Sequence, residues 1–335
     1  MQKIKFAQRE FMGAFGDLGT LIPIFISLVA INGLNGQVVL LSVGLCYLTC
    51  GFYYQVPIPV QPLKAMAAIA IATGLQLSVL SAGGILMGVI LLFLATSGLI
   101  NQLNRIFSRP IVRGIQLGVG LLLIKASLVL IFVGQKGIGS SSIMGGLSLS
   151  IPNLNDFTSA FFLLVLPQLP LTLSNSIVAT CDVTERYFQD KAKRVTAYAL
   201  SFGLGIANIL SGLMSSMPVC HGSGGVTAHY SFGARTGFAP IIIGSLCLLL
   251  GLIFQEQAIN ITKLIPYPIL GIMLGYIGLK HIMLVADLRG KELFTASGIG
   301  IVSLISGNLA IGYLTGMAVW YFPRVYEGRK LKIMN

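Results

Sequence analysis

Charge is scarce in this chain. Of 335 residues only 10 are Asp or Glu, 22 are Lys or Arg and 3 are His, while 55% are hydrophobic. So few acidic residues and histidines leave no paired-carboxylate signature, and neither HExxH nor GxSxG occurs, which argues against a membrane enzyme. Cysteine is equally thin. Cys46, Cys50, Cys181, Cys220 and Cys247 form no CxxC pair, and most fall in apolar runs where a free thiol behaves as a small hydrophobe, so disulfides are not expected. No nucleic-acid motif accompanies the net charge of +12, no sodium site is readable and no cofactor is expected.

What the chain does have is length of apolar run. Stretches repeatedly reach the roughly 18 to 22 residues needed to cross a bilayer. Full or partial membrane segments are expected near 11-32, 37-56, 58-75, 79-101, 110-133, 157-180, 194-216, 218-230, 237-255, 264-285, 291-306 and 308-323. The first run could be taken for a signal peptide, but Asp17 and Pro23 interrupt it, so it reads as a mature span. Forty glycines suit helices that must approach closely without a hydrophobic force between them. The fold class is therefore an all-α polytopic membrane protein of about 12 segments.

The basic residues then serve topology. With the N-terminus in the cytoplasm, Lys3, Lys5, Arg9, Arg105, Arg109, Arg113, Arg186, Lys191, Lys193, Arg194, Arg235, Arg289, Lys291, Arg324, Arg329, Lys330 and Lys332 fall on inner loops and flanks, against Lys136 and Lys263 outside. That asymmetry puts both termini in the cytoplasm. An odd number of segments precedes the Gly- and Ser-rich stretch 134-156, so the following unit enters from the opposite face. The chain divides into a first repeat over 1-133, an outer linker over 134-156, an inverted second repeat over 157-290, and two extra segments with a short tail over 291-335. The dozen or so residues after the last span leave no room for a cytoplasmic regulatory domain.

Two short segments carry the duplication. PIPVQPLKAMAAIA begins at Pro57 and PVCHGSGGVTAH at Pro218, each a Pro-Val entry between long apolar runs, and Ile115-Gln116-Leu117-Gly118 recurs as Ile272-Met273-Leu274-Gly275. Pro57, Pro59 and Pro62 favour an extended entry before the helix formers Lys64 to Ile69, and Pro218 with Gly222, Gly224 and Gly225 does the same in the second repeat. Two half-helices thus begin inside the membrane. Each start leaves N–H groups unpaired and carries about half a positive charge, so two that converge make an anion site.

The side chains around these breaks are the candidate ligands. Lys64 adds a full charge, or pairs with Asp17; Gln61, Ser223 and Thr20 are donors, or cap helices; Cys220, Gly222 and Gly224 let backbone approach. Asn175, opposite Gly16 in the repeat, is placed to line the same cavity, ahead of its neighbours Ser174 and Ser176. Asp17, one turn into the first span, would repel a dianion when ionised, so a loaded site requires it protonated or neutralised by Lys64. His221 either exchanges a proton near neutral pH or simply packs. Asp17 and His221 are the candidate proton carriers. From the residues alone the substrate is a small anion.

FGDLGT (15-20), PVQPLKA (59-65), PQLPLTLSNS (167-176), PVCHGSGGV (218-226) and FGAR (232-235) together resemble the molybdate transporter family, a branch related to sulfate permeases. The resemblance covers most of the chain. It implies proton-linked or potential-sensitive uptake of molybdate, with a core domain holding both half-helices and a gate domain that here lacks two segments of the first repeat. A sulfate or other oxyanion permease, or an anion channel, is the alternative. A prokaryotic cytoplasmic membrane is the expected location, and a homodimer stays open. Alkaline phosphatase, active only outside the cytoplasm, should be inactive when fused at either terminus and active when inserted within 134-156; activity at the C-terminus would overturn the orientation.

Overall fold

The computed structural model describes residues 2–100, 102, 107–134, 151–254 and 266–333. Most of the stretch 134-156, Arg105 and both outer lysines, Lys136 and Lys263, lie outside the described residues. The described residues are helical almost throughout. In order come α1 (Gln2–Ala14), a single 3-10 turn (Phe15–Asp17), α2 (Leu18–Asn32), α3 (Gly36–Tyr54), β1 (Gln61–Pro62), α4 (Lys64–Thr73), α5 (Leu77–Ser97) and α6 (Arg109–Phe132). A second series holds α7 (Leu154–Ala160), α8 (Leu166–Leu171), α9 (Ala179–Phe188), α10 (Ala197–Leu213), β2 (Val219–Cys220), α11 (Ser223–Ser231), α12 (Phe238–Phe254), α13 (Tyr267–Met283), α14 (Gly290–Ser306) and α15 (Leu309–Ile333).

Six helical stretches among the described residues are long and apolar enough to cross a membrane: Ala7–Asn32, Gly36–Tyr54, Leu77–Ser97, Arg109–Phe132, Leu154–Ala192 and Tyr267–Asp287. Lys64–Thr73, Ala197–Leu213, Phe238–Ile253 and Leu309–Phe322 are shorter apolar helices. Hydropathy misjudged several ends. The segment expected over 157-180 is helical from Leu154 to Ala192, because an Asn153–Asp156 capping box starts it early and the polar ATCDVTERYF continues it past the apolar run. The segment expected over 218-230 is extended at first and turns helical only at Ser223.

Helices α7, α8 and α9 are one continuous helix interrupted by two π turns, Phe161–Val165 and Thr172–Val178. Pro167 and Pro170 lie within α8, between the two π turns, and withhold two N–H donors, so the ladder is rearranged nearby. The Ser174 hydroxyl turns back on the preceding turn and donates to Pro170 O at 2.6 Å.

Packing sorts the helices into two groups. Helix α3 packs on α12 and α5 on α10, while α6 is the hub of a bundle with α13, α14 and α15 and also packs on α4. The α3–α12, α5–α10 and α6–α13 crossings are each made at a pair of glycines. Cβ atoms built on Gly44, Gly88 and Gly120 would lie 2.9, 2.6 and 2.7 Å from the carbonyl oxygens of Gly244, Gly205 and Gly278. Only hydrogen fits between such backbones, and close approach is what drives helix association in lipid. Gly88→Val should therefore destabilise the detergent-solubilised protein by about 2 kcal/mol through overpacking. Gly298→Ala, where a Cβ meets nothing within 4 Å, should leave thermal melting unchanged or slightly raised.

Candidate functional site

The two interrupted segments meet. Strands β1 and β2 pair antiparallel, with Gln61 opposite Cys220 and Pro62 opposite Val219. The pairing continues as Leu63 N–H donates to Pro218 O at 3.0 Å, and the Cys220 thiol donates to Pro62 O at 3.3 Å. Proline supplies no N–H, so further support comes from outside. Asn208 closes a two-bond ring around Val219, donating Nδ2 to its carbonyl at 2.8 Å and accepting its N–H at 2.9 Å. Asn32 holds the far end of α4, donating to Ala70 O and Leu75 O at 2.8 and 2.9 Å.

Helices α4 and α11 start directly beyond this ladder and border one cavity of about 640 Å³. Asp17, Thr20, Gln61, Lys64, Asn175, Cys220, Ser223 and Gly224 all line it. Asp17 is buried, and Gln61 Nε2 donates to its Oδ1 at 2.5 Å. Among the described residues Lys64 forms no salt bridge, so its charge is not consumed by direct pairing with Asp17. Ser223 donates its hydroxyl to Asn175 Oδ1 at 2.8 Å, tying the second half-helix to the π turn. That bond fixes the Asn175 amide with its nitrogen turned away from Ser223.

The two helix starts are not equally open. Gln168, buried on α8, accepts from the N–H groups of Ala65 and Met66 at 2.8 and 3.2 Å and donates to Thr172 at 3.0 Å. It is a side-chain cap brought from another helix. At α11 the N–H groups of Gly225 and Val226 are met by Gly222 O, and no described acceptor meets those of Ser223 and Gly224. Gly224, exposed to the cavity, presents bare backbone there, and a Cβ on it would meet nothing within 4 Å.

His221 and Gly222 are brought to the ladder but not to the cavity wall. The His221 ring turns to the opposite side, where Nδ1 donates to Pro59 O at 2.8 Å and Nε2 lies 3.8 Å from Cys50 Sγ. It borders a second, mostly apolar cavity of about 500 Å³ between α3 and α10, with Cys46, Tyr54 and Phe202. A carbonyl can only accept, so Nδ1 carries the proton. Gly222 is packed on Gln61.

The cavity also has lining that sequence reasoning missed. Gln168 and Ser176 belong to a motif from which only Asn175 was chosen. Arg113, Gln116, Tyr276, Lys280 and His281 come from α6 and α13, the other helical group. Arg113 passed as a topological charge, although the spacing of Arg113 and Gln116 puts both on one helix face. The completed lining holds Lys64, Arg113 and Lys280 against a single carboxylate, Asp17, which suits an anion.

The fold has solved counterparts. The transmembrane domain of the cyanobacterial bicarbonate transporter BicA superposes with a TM-score of 0.63 at 12% identity, over 93% of this chain and 97% of that one. The murine anion transporter Slc26a9 in its inward-facing state gives 0.65 at 12% identity, over 95% of this chain and 68% of that one. The fold is thus that of the Slc26-like transporters, an all-helical membrane class. Within it, the family described as molybdate transporter of the MFS superfamily matches residues 9–123 and 160–280, and the chain belongs to that molybdate transporter family. Molybdate transporter 2 of Arabidopsis thaliana is 26% identical over 93% of this chain and 86% of its own length. Molybdate transporter 1 of Chlamydomonas reinhardtii is 34% identical over 53% of this chain and 35% of its own.

Gln168→Leu removes the acceptor from two buried N–H groups at the start of α4. The expected cost is about 1 to 2 kcal/mol of stability, read as a lower melting temperature. An unchanged melting curve would show that water replaces the cap.

Proposed function

We propose that this protein is a secondary active transporter that takes up molybdate, binding the oxyanion between the two broken segments and coupling its entry to a proton. The observation that carries the reading is the Gln61–Cys220 ladder, which sets two helix starts and Lys64 on one basic cavity. A dianion in a low-dielectric site requires more compensation than helix ends provide, and Lys64 supplies it. Ser223 and Gly224 offer backbone N–H groups, while Thr20, Asn175 and Gln61 provide side-chain contacts. Cys220 and Gly222 act as close-packed backbone of the ladder. Sulfate has the same charge and shape, so selection between them rests on size and hydration.

The inverted repeat of 1-133 and 157-290 is supported by the glycine crossings. Exchange of the repeats turns the α3–α12 pair into the α10–α5 pair, and carries the α6–α13 pair and the β1–β2 pair onto themselves. With both termini in the cytoplasm, inward movement of two negative charges against an inside-negative potential costs roughly 4.6 kcal/mol per 100 mV. A coupled cation offsets this. Asp17, buried at the cavity wall and bonded to Gln61, is the proton carrier of this reading; His221, engaged with Pro59 on the other side, is a structural support.

Radiolabelled molybdate uptake into proteoliposomes tests the proposal. Uptake should saturate, accumulate label against its gradient, persist in excess sulfate and quicken when the outside is made acid. Lys64→Met should abolish high-affinity binding while the protein stays folded, and Asp17→Asn should remove the response to an imposed pH gradient. Failure to accumulate against a gradient would favour a channel, and a pH response that survives Asp17→Asn would assign the proton elsewhere.

A further inference from the structure

The cavity wall that faces the two breaks carries a polar side chain with no task in the reading above. Gln116, on α6, lines the cavity and is 8% exposed. Arg113, one turn earlier, donates Nη1 to Gln116 Oε1 at 2.8 Å. The rest of that guanidinium is committed to Asp287, through Nε at 3.2 Å and Nη2 at 2.7 Å, and Arg109 grips the same carboxylate at 2.8 Å.

This chain of bonds decides which way the Gln116 amide faces. A guanidinium has donors only, so the amide oxygen must point at Arg113 and the amide nitrogen away from it. Among the described residues no acceptor meets Gln116 Nε2. A cationic donor on the oxygen also polarises the amide and strengthens its N–H groups as donors. The repeat counterpart, Met273 in Ile272-Met273-Leu274-Gly275, has no donor to offer. The second helical group therefore brings one oriented donor to the cavity from α6.

We propose that Gln116 contacts the substrate, its amide N–H groups donating to the tetrahedral oxyanion from α6. Arg113 is a positioning residue, and Asp287 holds it. The assignment rests on the anion-transport reading. A tetrahedral oxyanion presents acceptors in every direction, and an oriented amide on α6 adds a donor to those that the ladder side of the cavity supplies. At about 640 Å³ the cavity has room for roughly 20 waters at about 30 Å³ each, far more than one oxyanion displaces, so a contact from α6 narrows the space in which the anion is held.

The test compares initial rates of radiolabelled molybdate uptake for the wild type, Lys64→Met, Gln116→Met and Gln116→Glu in proteoliposomes, with thermal melting of each. Gln116→Met, which mimics the repeat counterpart, should raise KM about tenfold with the maximal rate within about twofold, as for a lost hydrogen bond to a charged partner. Gln116→Glu still gives Arg113 its acceptor but aims a carboxylate at the anion, so KM should rise further. If Gln116 merely supports Arg113, the glutamate variant keeps the wild-type KM, and that result overturns the assignment. Should only Gln116→Glu fold, its KM decides; should only Gln116→Met fold, a wild-type KM overturns the assignment and a tenfold rise with unchanged thermal melting supports it. Wild-type protein that takes up no molybdate removes the transport reading and this one with it. Normal wild-type uptake lost in Lys64→Met, with wild-type KM in both Gln116 variants, removes this one alone.

Discussion

Everything at the centre of this molecule depends on one constraint: backbone polar groups in a membrane interior must find partners within the protein. Two chain segments leave helical conformation there, and each is rich in proline, which has no donor to offer. Their solution is mutual. Gln61 and Cys220 pair across a two-residue ladder, and Asn208, Thr180 and His221 meet the carbonyls and N–H groups that the ladder leaves over. The broken segments are stable only because they are broken in the same place.

The site inherits its character from that solution. Helices that begin at the ladder deliver their positive ends to one spot, while the apolar helices around them keep the dielectric low and the effect of each charge large. Gln168 then makes the two ends unequal, closing one with a side chain and leaving the other as bare backbone at Ser223 and Gly224. Around the ladder the remaining polar groups are divided by side. Asp17, Lys64 and Asn175 face the basic cavity, and His221 with Cys50 and Tyr54 faces the apolar one. Neighbours in the sequence, such as Cys220 and His221, belong to different compartments because successive residues of a strand point to opposite faces.

That alternation explains much of what could be read in advance. Proline positions are a backbone signal, so Pro59, Pro62 and Pro218 marked both breaks, and the basic residues and apolar runs marked the helices that frame them. Most ligand candidates near the breaks do meet at one cavity. The side on which His221 falls is a matter of strand register, which a run of proline and glycine conceals. Gln168 was hidden for a different reason: its role as a cap is played for a helix about a hundred positions away in the chain, and no local pattern records such a partnership. Arg113 and Gln116 were hidden by their own ordinariness, since an arginine near a helix end serves topology equally well. Helix ends were misjudged wherever polar residues with good helix propensity prolong an apolar run, as after Thr180.

The π turn at Thr172–Val178 has a consequence for how this sequence can vary. A π turn holds one residue more than the α-helix around it, and each residue of an α-helix accounts for about 100° of rotation. Loss of any single residue in that stretch would let the helix relax into regular α form while turning everything beyond it by that angle relative to Gln168. Asn175 and Thr180 would then leave Ser223 and the His221 carbonyl, although every span would keep its length and hydropathy. A deletion here therefore costs more than a substitution that keeps the count, so the length of this short window is itself a structural requirement.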